Sequence, residues 1–157
     1  MNAGVNADSA TRTALAFLGG LWTLPNTLLG LLAGMASCAF GARAYRAEGA
    51  LAFKRIPRAR GALVLGCVIL HGGESLDTIV PTYAARCGAA PRDECVRIGD
   101  HERAHVFQYL LFGPLFLPLY FLCGGVSARN PFERAADAYA LGGDWRPWRR
   151  VAQAKPR

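Results

Sequence analysis

The chain has 157 residues, 52% hydrophobic and 18% charged, with a formal net charge of +7. That length suits one domain with a modest core. The composition is apolar for a soluble domain, and aromatic residues are not interleaved with the basic ones as in a stacking platform, so no nucleic acid partner is expected.

Residues 1–12 are mostly small or polar and are expected to be disordered. Residues 13–42 carry no charge, which predicts a transmembrane helix, since a bilayer core needs about 20 apolar residues. Pro25-Asn26 predicts a kink near its middle. Gly30, Gly34 and Cys38 recur every four residues, a small-residue face for packing against another helix. Arg43, Arg46, Lys54, Arg55, Arg58 and Arg60 follow, opposed only by Glu48. Basic residues beside an apolar span predict anionic lipid headgroups as partner and a cytoplasmic face.

Short apolar runs at 51–56 and 62–70 are bounded by Pro57, Gly61, Gly72 and Gly73 and predict strands, with a third at 78–80. Residues 87–91 read as a loop. Cys87 and Cys95 are expected to be reduced on a cytoplasmic face. A helix is expected from Pro91 or Arg92, with Asp93 and Glu94 in its first turn, or from Asp100 as N-cap. It runs into a second charge-free stretch, 106–127, broken by Gly113-Pro114 and Pro118. Asn130-Pro131-Phe132-Glu133 offers an N-cap residue and Pro at N1, predicting a last helix to about Leu141, ended by Gly142-Gly143. Residues 143–157 form a basic tail.

The chemistry sits in His101-Glu102-Arg103-Ala104-His105. On a helix, residues four apart share a face, so both imidazoles can reach one metal ion. Glu102 lies beside them, where it can take a proton from a metal-bound water. A catalytic zinc site needs a third ligand. Glu133 and His71, the only other histidine, are the candidates. Glu133 is favoured because Asp137 lies four residues on, where it can accept a hydrogen bond from a ligating imidazole. His71 is then a candidate for polarising a bound carbonyl, and Tyr109 for donating to an oxyanion. Glu133 has a competing use as the N3 member of a capping box on Asn130.

His101-Glu102-x-x-His105 followed by Glu133-x-x-x-Asp137 resembles the motif pair of the gluzincins, the thermolysin-like metallopeptidases. The stretch 100–140 also resembles small bacterial membrane proteins with Gln-Tyr, Gly-Pro-Leu-Phe-Leu-Pro and Asn-Pro-Phe-Glu, here Gln108-Tyr109, 113–118 and 130–133. The resemblance covers about a quarter of the chain. It implies zinc on His101, His105 and Glu133, with Glu102 as general base and Asp137 orienting a histidine. It also implies a bacterial inner (cytoplasmic) membrane location.

Ligands of one ion converge within about 2 Å of it. A straight crossing by 106–127 would leave His105 and Glu133 about 30 Å apart. A real site therefore requires that stretch to double back as a re-entrant hairpin, with the site and both basic flanks on the cytoplasmic side. The expected molecule is an α+β, mostly helical, membrane-anchored protein. Its zincin-like core would span 43–142 and carry a short β-hairpin or small sheet. The expected function is a membrane-associated, peptidase-like zinc hydrolase. The alternative is a non-enzymatic membrane protein with a structural or vestigial metal site.

Overall fold

The computed structural model describes residues 18–149; the expectations for 1–12 and for the end of the basic tail lie outside them. Residues 18–22 are helical, and α1 runs from Leu24 to Cys38. Between them Thr23 keeps helical dihedrals, its N–H bonds the Gly19 carbonyl and its carbonyl accepts from Thr27, so the division falls at the expected kink beside Pro25, whose missing N–H leaves one helical bond unmade. Residues 13–17 of the expected helix lie outside the described residues, and 39–42 lie past its end.

The small-residue face of α1 does pack closely, but on a sheet rather than on a helix. A Cβ on Gly34 would lie 2.4 Å from the Phe53 ring, and one on Gly30 2.8 Å from Val68. Four strands form that sheet: β1 (Arg43–Ala47), β2 (Ala50–Lys54), β3 (Ala62–Leu65) and β4 (Val68–His71). Their order is β1-β2-β4-β3, with β2 and β4 parallel and the other pairs antiparallel. The strand expected over 62–70 is two strands. Gly66, at φ 63°, turns the chain back so that Leu65 faces Val68.

Alternation along the strands gives the sheet two apolar faces. Phe53, Val68 and Leu70 form a core with Leu31 of α1 packed against it. Ala52, Val64 and Ile69 pack on the other face with Val106, Tyr109, Phe116 and Phe132. Each large side chain so buried stabilises by roughly 1.5–3 kcal/mol.

A two-stranded sheet pairs β5 (Ile79–Pro81) with β6 (Cys95–Arg97), and α2 (Tyr83–Arg86) lies between them in sequence. This corrects the helix start expected near Pro91 and the alternative start at Asp100. Residues 95–97 pair with β5, and Glu94 hydrogen-bonds the Thr82 hydroxyl at 2.8 Å. Helix α3 (Ile98–Phe112) begins where its first two N–H groups find the carbonyls of Thr78 and Leu76, both at 2.9 Å.

Helix α3 ends at Gly113, at φ 55° and ψ −132°, a backbone region that only glycine occupies at low cost. A short 3₁₀ turn (Gly113–Leu115) leads into α4 (Phe116–Leu122). Among the described residues, Ile98–Leu122 is the one helical run long and apolar enough to cross a membrane. The chain nevertheless returns, and α5 (Pro131–Ala140) packs directly on α3. The fold is α+β, with five helices and six strands lying wholly within the described residues.

Candidate metal centre

Helix α3 carries His101, Glu102 and His105, all buried, with the two imidazole centroids 4.9 Å apart. Helix α5 brings Glu133 and Asp137 to the same point. Its start is set by Asn130, whose side-chain oxygen accepts from the Phe132 N–H at 3.0 Å. The Asn130 amide donates to the carbonyls of Tyr120 (3.0 Å) and Gly125 (2.7 Å), locking the loop before the helix. Glu133 is not used in a capping box. The Asn130 N–H goes to the Ser127 carbonyl, and the Glu133 carboxylate faces the imidazoles.

Three donor atoms converge. His101 Nε2 lies 3.0 Å from Glu133 Oε2, His105 Nε2 lies 3.3 Å from the same oxygen, and the two Nε2 atoms are 3.2 Å apart. Tetrahedral ligands about 2.0–2.2 Å from one ion are roughly 3.3–3.6 Å apart, so small outward shifts make this a ligand triangle.

The other ring atoms are committed. His101 Nδ1 lies 3.0 Å from Asp137 Oδ1, and His105 Nδ1 lies 2.7 Å from Gln108 Oε1. The Gln108 amide group donates to the carbonyls of Phe132 and Pro147, which leaves only its oxygen for His105. Both imidazoles therefore carry hydrogen on Nδ1, which leaves each Nε2 for a metal ion or, without one, for a proton shared with Glu133. His101, His105 and Glu133 thus form a buried group able to bind a metal ion.

The titration of these groups follows the same logic. Burial disfavours a charged His101, but hydrogen bonds to Asp137 and Glu133 outweigh it and raise its pKa. Burial likewise opposes ionisation of Glu133, yet His105 and His101 hold its carboxyl well below the usual range. Burial pushes the Glu102 carboxyl up, against the pull of the two histidines.

No protein-family model, curated protein or solved structure matches this chain. The reading of the site therefore rests on its own geometry.

A cavity of about 140 Å³ opens over the cluster. His101, Glu102, His105 and Glu133 line it together with Ala62, Leu63 and Val64 of the sheet edge and Phe116 and Tyr120 of α4. Its mouth is apolar, since Leu63, Phe121 and Val126 are 52%, 64% and 72% exposed.

Of the expected site residues, the fold assembles His101, Glu102, His105, Glu133 and Asp137. Tyr109 lines the cavity, but its ring is 1% exposed in the core, and its hydroxyl has no hydrogen-bond partner among the described residues. His71 is not brought to the site. It ends β4, and its Nε2 is 2.6 Å from the Tyr45 hydroxyl; burial and Lys54 lower its pKa. Two residues escape sequence reasoning. The Tyr83 N–H donates to Asp137 Oδ2 at 2.8 Å, and the Tyr120 hydroxyl donates to Glu133 Oε1. Neither has a local signal, because each reaches the site only through tertiary packing.

Proposed function

We propose that this chain is a membrane-associated, zinc-dependent hydrolase of the gluzincin kind, acting on peptide or amide bonds. The observation that carries the reading is the meeting of His101 Nε2, His105 Nε2 and Glu133 Oε2 beside Glu102 in an apolar cleft. Two imidazoles and a carboxylate suit zinc, and three protein ligands are the number catalytic sites use, whereas structural sites close with four. When bound, zinc supplies Lewis acidity that makes water a better acid and polarises a carbonyl.

Glu102 takes the proton of the attacking water and delivers it to the departing nitrogen as the C–N bond breaks. Burial raises its pKa, which makes its carboxylate a stronger base toward that water. Asp137 and Gln108 hold the imidazoles in the tautomer that ligates. Strand β3 ends the sheet order, and its register with β4 leaves the backbone groups of Ala62 and Val64 facing outward. An extended peptide substrate adds to that edge, with its scissile carbonyl over the cluster.

Membrane association is supported by exposed apolar side chains on two neighbouring elements. Leu28, Leu32 and Met35 project from α1, and Leu115 and Leu122 from the segment after Gly113. Asn26 ties the two together, donating to the Gly113 carbonyl at 3.3 Å. The basic residues between 43 and 60 would meet anionic headgroups. With them goes the proposed location at a bacterial inner membrane, with the site facing the cytoplasm.

Metal analysis tests the reading. The purified full chain should carry about one zinc, lost in His101→Ala, His105→Ala and Glu133→Ala. The zinc-loaded protein should bind a peptide hydroxamate. Full zinc content in Glu133→Ala would remove Glu133 from the ligand set, and a loaded protein that binds no hydroxamate would favour a structural site.

A further inference from the structure

Tyr120 lies outside every motif, yet it is built into the cluster twice. Its hydroxyl donates to Glu133 Oε1, while Glu133 Oε2 is the oxygen that faces both imidazoles. Its backbone carbonyl accepts from Asn130, the fully buried side chain that also caps the helix carrying Glu133. One asparagine therefore sets the phenol and the carboxylate relative to each other. The Tyr120 ring is held edge-on against His105, with centroids 6.2 Å apart, and packs on Phe116 at 5.8 Å.

A carboxylate can ligate a metal through one oxygen or both. Two-oxygen binding would fill a position that a catalytic site must keep free. An O–H donor on one oxygen engages its lone pair and orients the group, as partners behind metal ligands generally do.

Resting on the reading that this cluster holds a metal, we infer that Tyr120 is a positioning residue that withholds Glu133 Oε1 from the ion. Glu133 then ligates through Oε2 alone, and a coordination position stays available to substrate or solvent. The phenol touches neither substrate nor metal in this role. It acts through Glu133.

The test uses the full chain loaded with Co2+ as the only metal. Wild type should give the intense visible bands of four-coordinate cobalt. Tyr120→Phe removes one oxygen atom and should free Oε1, so that coordination rises and the absorbance per bound cobalt falls several-fold. Chelator competition should show metal affinity altered by about 10–100-fold. Leu141→Ala, at an exposed residue just after the helix that carries Glu133, should leave the spectrum unchanged. An identical spectrum and affinity in Tyr120→Phe would overturn the role of Tyr120 and leave the metal site standing. A loss of intensity in Leu141→Ala as well would overturn it too, by marking the effect as general loosening. Failure of wild type to bind cobalt at all would overturn the metal reading and this inference together.

Discussion

Gln108 Oε1 stands 2.7 Å from His105 Nδ1, and the same amide spans the carbonyls of Phe132 and Pro147. One fully buried side chain thus fixes a histidine tautomer, anchors the start of α5 and ties down the segment after it. Replacing Gln108 by Ala should weaken zinc binding by about 10–100-fold, because the ring loses its orienting acceptor. It should also cost about 1–3 kcal/mol of stability, since two carbonyls lose their donor. Zinc competition titrations and urea unfolding measure the two effects. Wild-type affinity in the variant would show that the amide does not orient the ring.

Glu102→Gln keeps the side-chain volume and removes the base. Zinc content should stay at wild-type level while hydrolysis falls by about 10²–10⁴-fold. Stability should hold or rise, because an amide escapes the desolvation that pushes this carboxyl up. Full activity would exclude Glu102 as base.

Tyr109→Phe deletes a buried hydroxyl that has no partner among the described residues. The ring contacts, including the 4.5 Å edge-to-face pair with Phe116, are kept. Thermal unfolding should show stability raised by up to about 1 kcal/mol. A clear loss of stability would mean that the hydroxyl is hydrogen-bonded. A stable variant that had lost hydrolysis would assign the hydroxyl to the substrate.

Gly113→Ala faces two costs. The backbone sits at φ 55° and ψ −132°, and the new Cβ would lie 2.3 Å from the Trp22 indole. The expected destabilisation is about 2–5 kcal/mol by urea unfolding. A change below 1 kcal/mol would show that the turn between α3 and α4 relaxes freely.

Local spacing made much of the site legible. His101 and His105 share a helix face because of the helical repeat, and so do Glu133 and Asp137. Asn130-Pro131 marked the start of α5 because an N-cap and a proline at N1 act within one turn. The requirement that ligands converge also implied that the chain returns after His105, and Gly113 is where α3 breaks.

Other features followed no local rule. Residues 95–97 form a strand because β5 lies beside them, and His71 sits in the sheet because β4 pairs with β3 there, its ring meeting the Tyr45 hydroxyl. The small face of α1 found a sheet, since glycines allow close approach to any partner and do not specify which. Tyr83 and Tyr120 received their roles from contacts made across the fold, and Gln108, one turn from His105, has its amide turned by the carbonyls of Phe132 and Pro147. Helical periodicity and capping act over a few residues, so they made the ligating groups, their helices and the Asp137 partner readable from the chain. The Tyr83 N–H on Asp137 and the Tyr120 hydroxyl on Glu133 came only with folding, because those hydrogen bonds join segments that meet once the chain has doubled back and buried its core.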